Sequence, residues 1–125
     1  MAAPNIVNVT TITGITTWKA NVGNAAAIHT LVSNASSSNK VIKINNITAT
    51  GIGETCEITT KIFDQAAGAG SSVSIGTTLS VPVYSSLVVV SKENSFYLAE
   101  NQSVGVFKTN ANGQLDVTCS YEEIS

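Results

Sequence analysis

The chain has 125 residues, a size that suits one domain and can bury roughly two thirds of its unfolded surface. Only 11% of the residues are charged, the net charge is −2, and every basic side chain other than the lone His29 is a lysine. With no basic cluster to grip a phosphate backbone, and no apolar run near the roughly 18 residues that span a bilayer, composition argues against nucleic-acid and membrane partners.

The bulk of the chain is neutral and branched. It holds 15 Ser, 15 Thr and 12 Asn, with 14 Val and 12 Ile. Val, Ile and Thr are stiff at χ1 and fit a pleated, half-buried surface, so the composition alone predicts an all-β protein. A surface built of hydroxyls and amides is unusual for a free cytosolic protein, which normally stays soluble through charge. It suits a component of an assembly. Met1 to Thr13 has neither a basic start nor a continuous apolar stretch, so no signal peptide is expected.

Strand signals follow one another with short turns between them. Asn5 to Thr13 is rich in β-branched residues and is expected to stop at Gly14. Thr16 to Val22 carries the only tryptophan, Trp18, and ends at Gly23-Asn24. Ile28 to Ser33 is a short strand, and Asn34 to Asn39 a polar loop. Lys40 to Thr50 places Ile42 and Ile44 on one face and Lys43 and Asn45 on the other. Ile47 has the opposite parity, so a bulge is expected around Asn45-Asn46. Gly51 to Gly53 reads as a turn. Thr55 to Phe63 alternates, with Cys56, Ile58, Thr60 and Ile62 on one face.

Asp64 to Ser72 is a small-residue loop, expected to be mobile. Val73, Ile75, Thr77 and Leu79 alternate again. Pro82 cannot donate to a ladder and marks a strand end or an edge. Leu87 to Val90 is a continuous apolar run, expected to be covered on both faces. Lys92 to Asn94 and Glu100 to Gln102 are turns around a strand at Phe96 to Leu98, and Val104 to Lys108 is the next strand. Asn112-Gly113 is a strong hairpin signal, since both residues tolerate positive φ. In the last strand Leu115, Val117, Cys119 and Tyr121 point inward. The expectation is an antiparallel β-sandwich, jelly-roll or immunoglobulin-like, of eight or nine strands with little or no helix. It forms a single domain over residues 1–125, with an extended N-terminal arm over 1–13.

Chemistry is sparse. Nucleophilic catalysis needs a base beside the nucleophile, and His29 is the sole imidazole, in an alternating stretch where a structural role is expected. Cys56, Cys119 and His29 lack the spacing of zinc ligands. The pairs Gly51/Gly53 and Gly68/Gly70 do not extend to a phosphate-binding loop. Glu122 and Glu123, as neighbours in a strand, point to opposite faces and cannot act as paired carboxylates. No enzyme activity, catalytic residue, metal or cofactor is expected. Cys56 and Cys119 read as buried small hydrophobes; a disulfide would require their strands to face each other. Phe107 and Tyr121 read as core. Trp18 and Phe63 fall on less certain faces, and each is weighed as a partner anchor against plain core packing.

Two stretches resemble a known group. They are the opening MAAPNIVNVTTITG (Met1 to Gly14) and the closing SFYLAENQSVGVFK (Ser95 to Lys108) with LDVTCSYEEIS (Leu115 to Ser125). They are similar to small virion proteins of marine tailed phages, especially those of cyanobacteria. The resemblance covers both ends, and the middle only in strand pattern. It implies a particle component and carries no catalytic residues. The resemblance does not fix a place on the particle; taken with the β-rich composition and the near-neutral polar surface, it leads to the expectation of a capsid decoration (cement) protein on the outside of an expanded head, made in the host cytoplasm, whose partners are itself, as a homotrimer, and the major capsid protein. The alternatives are a tail, collar or fibre-attachment adaptor, and a host-surface or carbohydrate-binding module. The candidate interface residues are Pro4, Ile6 and Val7 of the arm, with Trp18 and Phe63.

Overall fold

The computed structural model describes residues 9–22, 28–109 and 113–125. Nine strands occur among them: β1 (Ile12–Lys19), β2 (His29–Asn34), β3 (Val41–Ile52), β4 (Cys56–Phe63), β5 (Ser72–Val81), β6 (Ser86–Val90), β7 (Phe96–Leu98), β8 (Gln102–Lys108) and β9 (Gln114–Ile124). They pair as nested antiparallel partners. β1 pairs with β9, β2 with β8, β3 with β6 and β7, and β4 with β5. This is one long hairpin rolled on itself. Rolling adds the pairs β3–β9 and β4–β8 and yields two sheets, β1-β9-β3-β6/β7 (sheet A) and β2-β8-β4-β5 (sheet B). The strand order is that of a jelly roll.

Burial of branched side chains between the sheets drives this arrangement. Ile42, Ile44, Ile47, Leu115, Val117 and Cys119 from sheet A meet Ile58, Val81, Val104 and Val106 from sheet B, all essentially inaccessible. The bulge expected in β3 is present. Ile44 faces Tyr121 and Asn46 faces Ser120, leaving Asn45 as the extra residue. It resets parity, so Ile44 and Ile47 both point inward although three positions apart. Pro82 follows β5 directly.

Several expectations are corrected by tertiary contacts. Gly14 does not end a strand, because β9 pairs straight through it opposite Glu122. The proposed arm over 1–13 is shortened from its inner end. Residues 12 and 13 belong to β1, and the Thr10 and Thr11 amides both donate to Ser125 O at 2.7 and 2.9 Å. Of the Asn112-Gly113 signal, Asn112 lies outside the described residues and Gly113 has φ +73°. The strands on either side, β8 and β9, lie in different sheets and do not pair with each other as a hairpin would. Val73, opposite Ile62 near the end of the β4–β5 ladder, is 70% exposed although it has the same parity as Leu79. Phe107 is half-buried on the outer side of sheet B, with Lys61 Nζ 5.9 Å from its ring centre.

The Asp64–Ser72 loop is not free. It contains a 3-10 turn over Ala66–Gly68 that lies on the outside of sheet B. Ser103 Oγ, fully buried, accepts from Gly68 N (2.9 Å) and donates to Gln65 O (2.7 Å). Ser33 Oγ accepts from Ala67 N at 2.9 Å, and Asn101 Oδ1 from Ala66 N at 3.1 Å. Small side chains in this loop let its backbone come close enough to the sheet for those bonds.

Candidate interaction surface

The expected interface residues do not form one site. Pro4, Ile6 and Val7 lie outside the described residues. Phe63 is buried, 4% exposed, so in this chain it is a packing residue and not a surface anchor. It sits under the pinned loop, and Gly105 makes room for it: a Cβ on Gly105 would come within 3.2 Å of the Phe63 ring. Trp18 is the member of the set that is available, at 69% exposure.

Trp18 stands on β1, an outer strand of sheet A, and its surroundings follow from the register. It faces Thr118 on β9, which faces Thr48 on β3, which faces Val88 on β6. The four residues form one row across the outer face of the sheet. At about 4.8 Å per strand the row is some 14 Å long, with Trp18 at one end and Val88, 55% exposed, at the other. A second row runs Gly14–Glu122–Lys43–Tyr97, ending on β7. Tyr97 is 48% exposed.

Between these apolar ends the face is covered by short polar groups that bond to one another. Thr16 and Ser120 hydroxyls are 3.4 Å apart, Thr50 and Ser86 hydroxyls 3.0 Å, and Thr48 Oγ1 donates to Asn46 Oδ1 at 3.0 Å. Asn45 Nδ2 donates to Glu122 Oε2 at 3.0 Å. Lys40 Nζ and Glu123 Oε1, on the neighbouring strand ends, form an ion pair at 3.3 Å. Short hydroxyls and amides bonded to one another make up most of this face, with Glu122 and Lys43 as the charged side chains of the second row and Asn45 Oδ1 buried without a hydrogen-bond partner. Paired hydroxyls and amides lose water at less cost than charges, so the row from Trp18 to Val88 is the part of the face best suited to burial against a partner.

Other features are less assembled. A cleft of about 230 Å³ beside the pinned loop is lined by Ile62, Phe63, Asp64, Val73 and Gln102. Tyr84 projects from the β5–β6 connection with φ +56°, its amide donating to Gly51 O at 2.8 Å. His29 opens β2, and burial followed by the nearby Lys19 charge lowers its pKa. Cys56 and Cys119 are both buried and are not bonded to each other. Cys56 Sγ lies 3.5 Å from Gln114 O, five residues along β9 from Cys119, or about 16 Å, so the two thiols cannot meet. Burial pushes the Cys119 thiol up to about 12. Among the described residues no three His, Cys, Asp or Glu side chains gather as a metal site. Among the described residues no helix is long and apolar enough to cross a membrane.

Sequence reasoning missed Val88 and Tyr97. Val88 lies in the run Leu87 to Val90, which was expected to be covered on both faces; β6 is instead an outer strand. Nothing in the local sequence distinguishes the two cases, because edge position depends on which strands pair.

No family model matches the chain, and no curated protein matches it in sequence. Among solved structures, a chain of Bacillus endospore appendages, described as disulfide-linked pili, superposes with a TM-score of 0.52 at 15% identity, covering 91% of this chain and 88% of that one. A chain of infectious bursal disease virus, strain Gx, gives a TM-score of 0.43 at 8% identity, covering 94% of this chain and 38% of the other. A chain of the cyanophage Pam1 capsid asymmetric unit gives 0.35 at 17% identity, covering 98% and 91%. At these identities the first likeness is one of fold.

Proposed function

We propose that this chain is a non-enzymatic virion structural protein, a decoration protein that binds the outer surface of an expanded phage head and stabilises it. The observation that carries the reading is the outer face of sheet A: rows of short polar groups, several of them hydrogen-bonded to one another, framed by exposed Trp18, Val88 and Tyr97. A protein that makes its living by contact needs such a face and needs no reactive group. The two stretches that resemble marine phage virion proteins support it. Where they are described they include the start of β1 (residues 12–14), β7, β8 and β9, and three of these four strands build this same sheet. The partners are the major capsid protein and further copies of this chain, closed as a homotrimer, with neither nucleic acid nor membrane involved.

The mechanism is linkage. A protein that binds the expanded lattice and not its precursor stabilises the expanded state by RT ln(1 + [L]/Kd), about 2.7 kcal/mol per site when free protein is at a hundred times Kd. Residues 1–125 act as one domain in this reading, and the residues ahead of β1, with Pro4, Ile6 and Val7, are the arm that reaches a neighbouring subunit. Covalent linkage of the pilus kind is not favoured, since the two cysteines of the chain are both buried.

Quantitative mass spectrometry of purified particles tests the proposal. Copy number comparable to the major capsid protein, with binding to expanded heads weakened by Trp18→Ala, is the expected result. A handful of copies per particle would replace it with the tail, collar or fibre-adaptor role. Absence from particles would sink both virion readings.

A further inference from the structure

Sheet A has two open edges among the described residues, β1 on one side and β6/β7 on the other. Open edges normally carry lysines, prolines or other blocks against pairing. β6 is Ser-Leu-Val-Val-Val, with no lysine or proline and a single register shift at Val89, and β1 has only Lys19 at its last position. We propose that these two edges are made for each other: β6 of one copy pairs with β1 of a second copy, continuing sheet A from chain to chain.

Three features of the sheet fit this contact. The first is direction. Every pair in β1-β9-β3-β6 is antiparallel, so β1 and β6 run oppositely. Placing a second sheet beside the first in the same orientation therefore makes the β6–β1 junction antiparallel too. The second is the row of Trp18, Thr118, Thr48 and Val88. Repeating it from copy to copy puts Val88 next to Trp18 of the second copy, so both exposed apolar ends are covered by one contact. The third is the row Gly14–Glu122–Lys43–Tyr97, which in the same repeat sets Tyr97 beside Gly14 of the second copy. A Cβ on Gly14 would meet nothing within 4 Å, so the flat backbone there is open to an aromatic ring. An aromatic laid over an edge glycine is a known cross-strand device. The contact is heterologous, closing as a ring or running on as a filament according to its rotation.

The test uses the full chain in solution. Trp18 is the sole tryptophan, so self-association shows both as a rise in sedimentation coefficient and as a blue shift of its emission with concentration. Trp18→Glu and Val88→Lys, each at an exposed position, are expected to weaken association about tenfold or more while leaving the thermal midpoint of the dilute monomer in place. The double variant is expected to regain association, because the two new charges then face each other across the junction. Val73→Lys, on sheet B, is the control and is expected to change nothing. A chain that stays monomeric with unshifted emission at every concentration overturns the proposal, as does association indifferent to both single variants. A double variant that associates no better than Val88→Lys alone overturns it too, since positions 18 and 88 would then not face each other across the junction. The contact goes beyond the decoration reading and is separable from it. Self-association without particle binding sinks decoration alone, and particle binding by a chain indifferent to these variants sinks the contact alone.

Discussion

Asn34 offers a sharp test of how the two sheets are held in register at one end. It closes β2, in sheet B, and is 1% exposed. Its Nδ2 donates to Lys40 O at 2.9 Å and to Leu98 O at 3.1 Å, which belong to the entry of β3 and to β7, in sheet A. Its Oδ1 accepts from Ser38 Oγ at 2.6 Å. Asn34→Ala removes three hydrogen bonds worth about 1 kcal/mol each and strands the carbonyl of Leu98, itself fully buried, so the loss should reach about 3–5 kcal/mol. At roughly 4 °C per kcal/mol for a chain of this size, the thermal midpoint falls by about 12–20 °C. Ser38→Ala removes two bonds, the one Ser38 Oγ donates to Asn34 Oδ1 and the one it accepts from Lys40 N at 3.2 Å, but strands no group as deeply buried as Leu98 O, and should cost about 1–2 kcal/mol. Urea unfolding of both variants at neutral pH measures the difference. A loss for Asn34→Ala no larger than for Ser38→Ala would refute the role of Asn34 as the tie between sheets. Asn34→Asp is the companion variant: it keeps the shape, loses the donor and buries a charge, and should be at least as damaging as alanine.

Three further predictions follow from packing and titration. Gly105→Ala should destabilise by about 1–3 kcal/mol in denaturant titration, since the new Cβ would lie 2.9 Å from Ile28 Cγ2, 3.1 Å from His29 O and 3.2 Å from Phe63 Cε2. The Cys119 thiol keeps its proton in the folded state up to about 12, whereas the unfolded thiol releases it near 9.0. Its contribution is therefore complete below pH 9 and is lost as pH rises, at up to about 1.4 kcal/mol per unit; Cys119→Val should flatten that part of the alkaline stability profile. His29 behaves in the opposite sense, because its pKa is lowered on folding by burial and then by Lys19. Stability tied to it is present above 6.5 and falls as acid protonates the unfolded chain first, so His29→Gln should reduce the slope of stability against pH just below 6.5.

Much of the architecture was determined by local sequence. Alternation of branched residues specifies strands because a pleat exposes every second side chain to the same surroundings. The break of parity between Ile44 and Ile47 required a bulge, and Asn45 supplies it. The missing donor of Pro82 ended β5. What tertiary structure alone decided was which surfaces are covered. The signal at Asn112-Gly113 describes a tight reversal but not the strands it joins; here they lie in opposite sheets. Phe63 and Val88 are equally apolar and both sit in strands. One lies beneath a loop held by Ser103 and the other on an open edge of sheet A. Burial at such positions is set by pairing between residues far apart in the chain, and a local pattern carries no information about those partners.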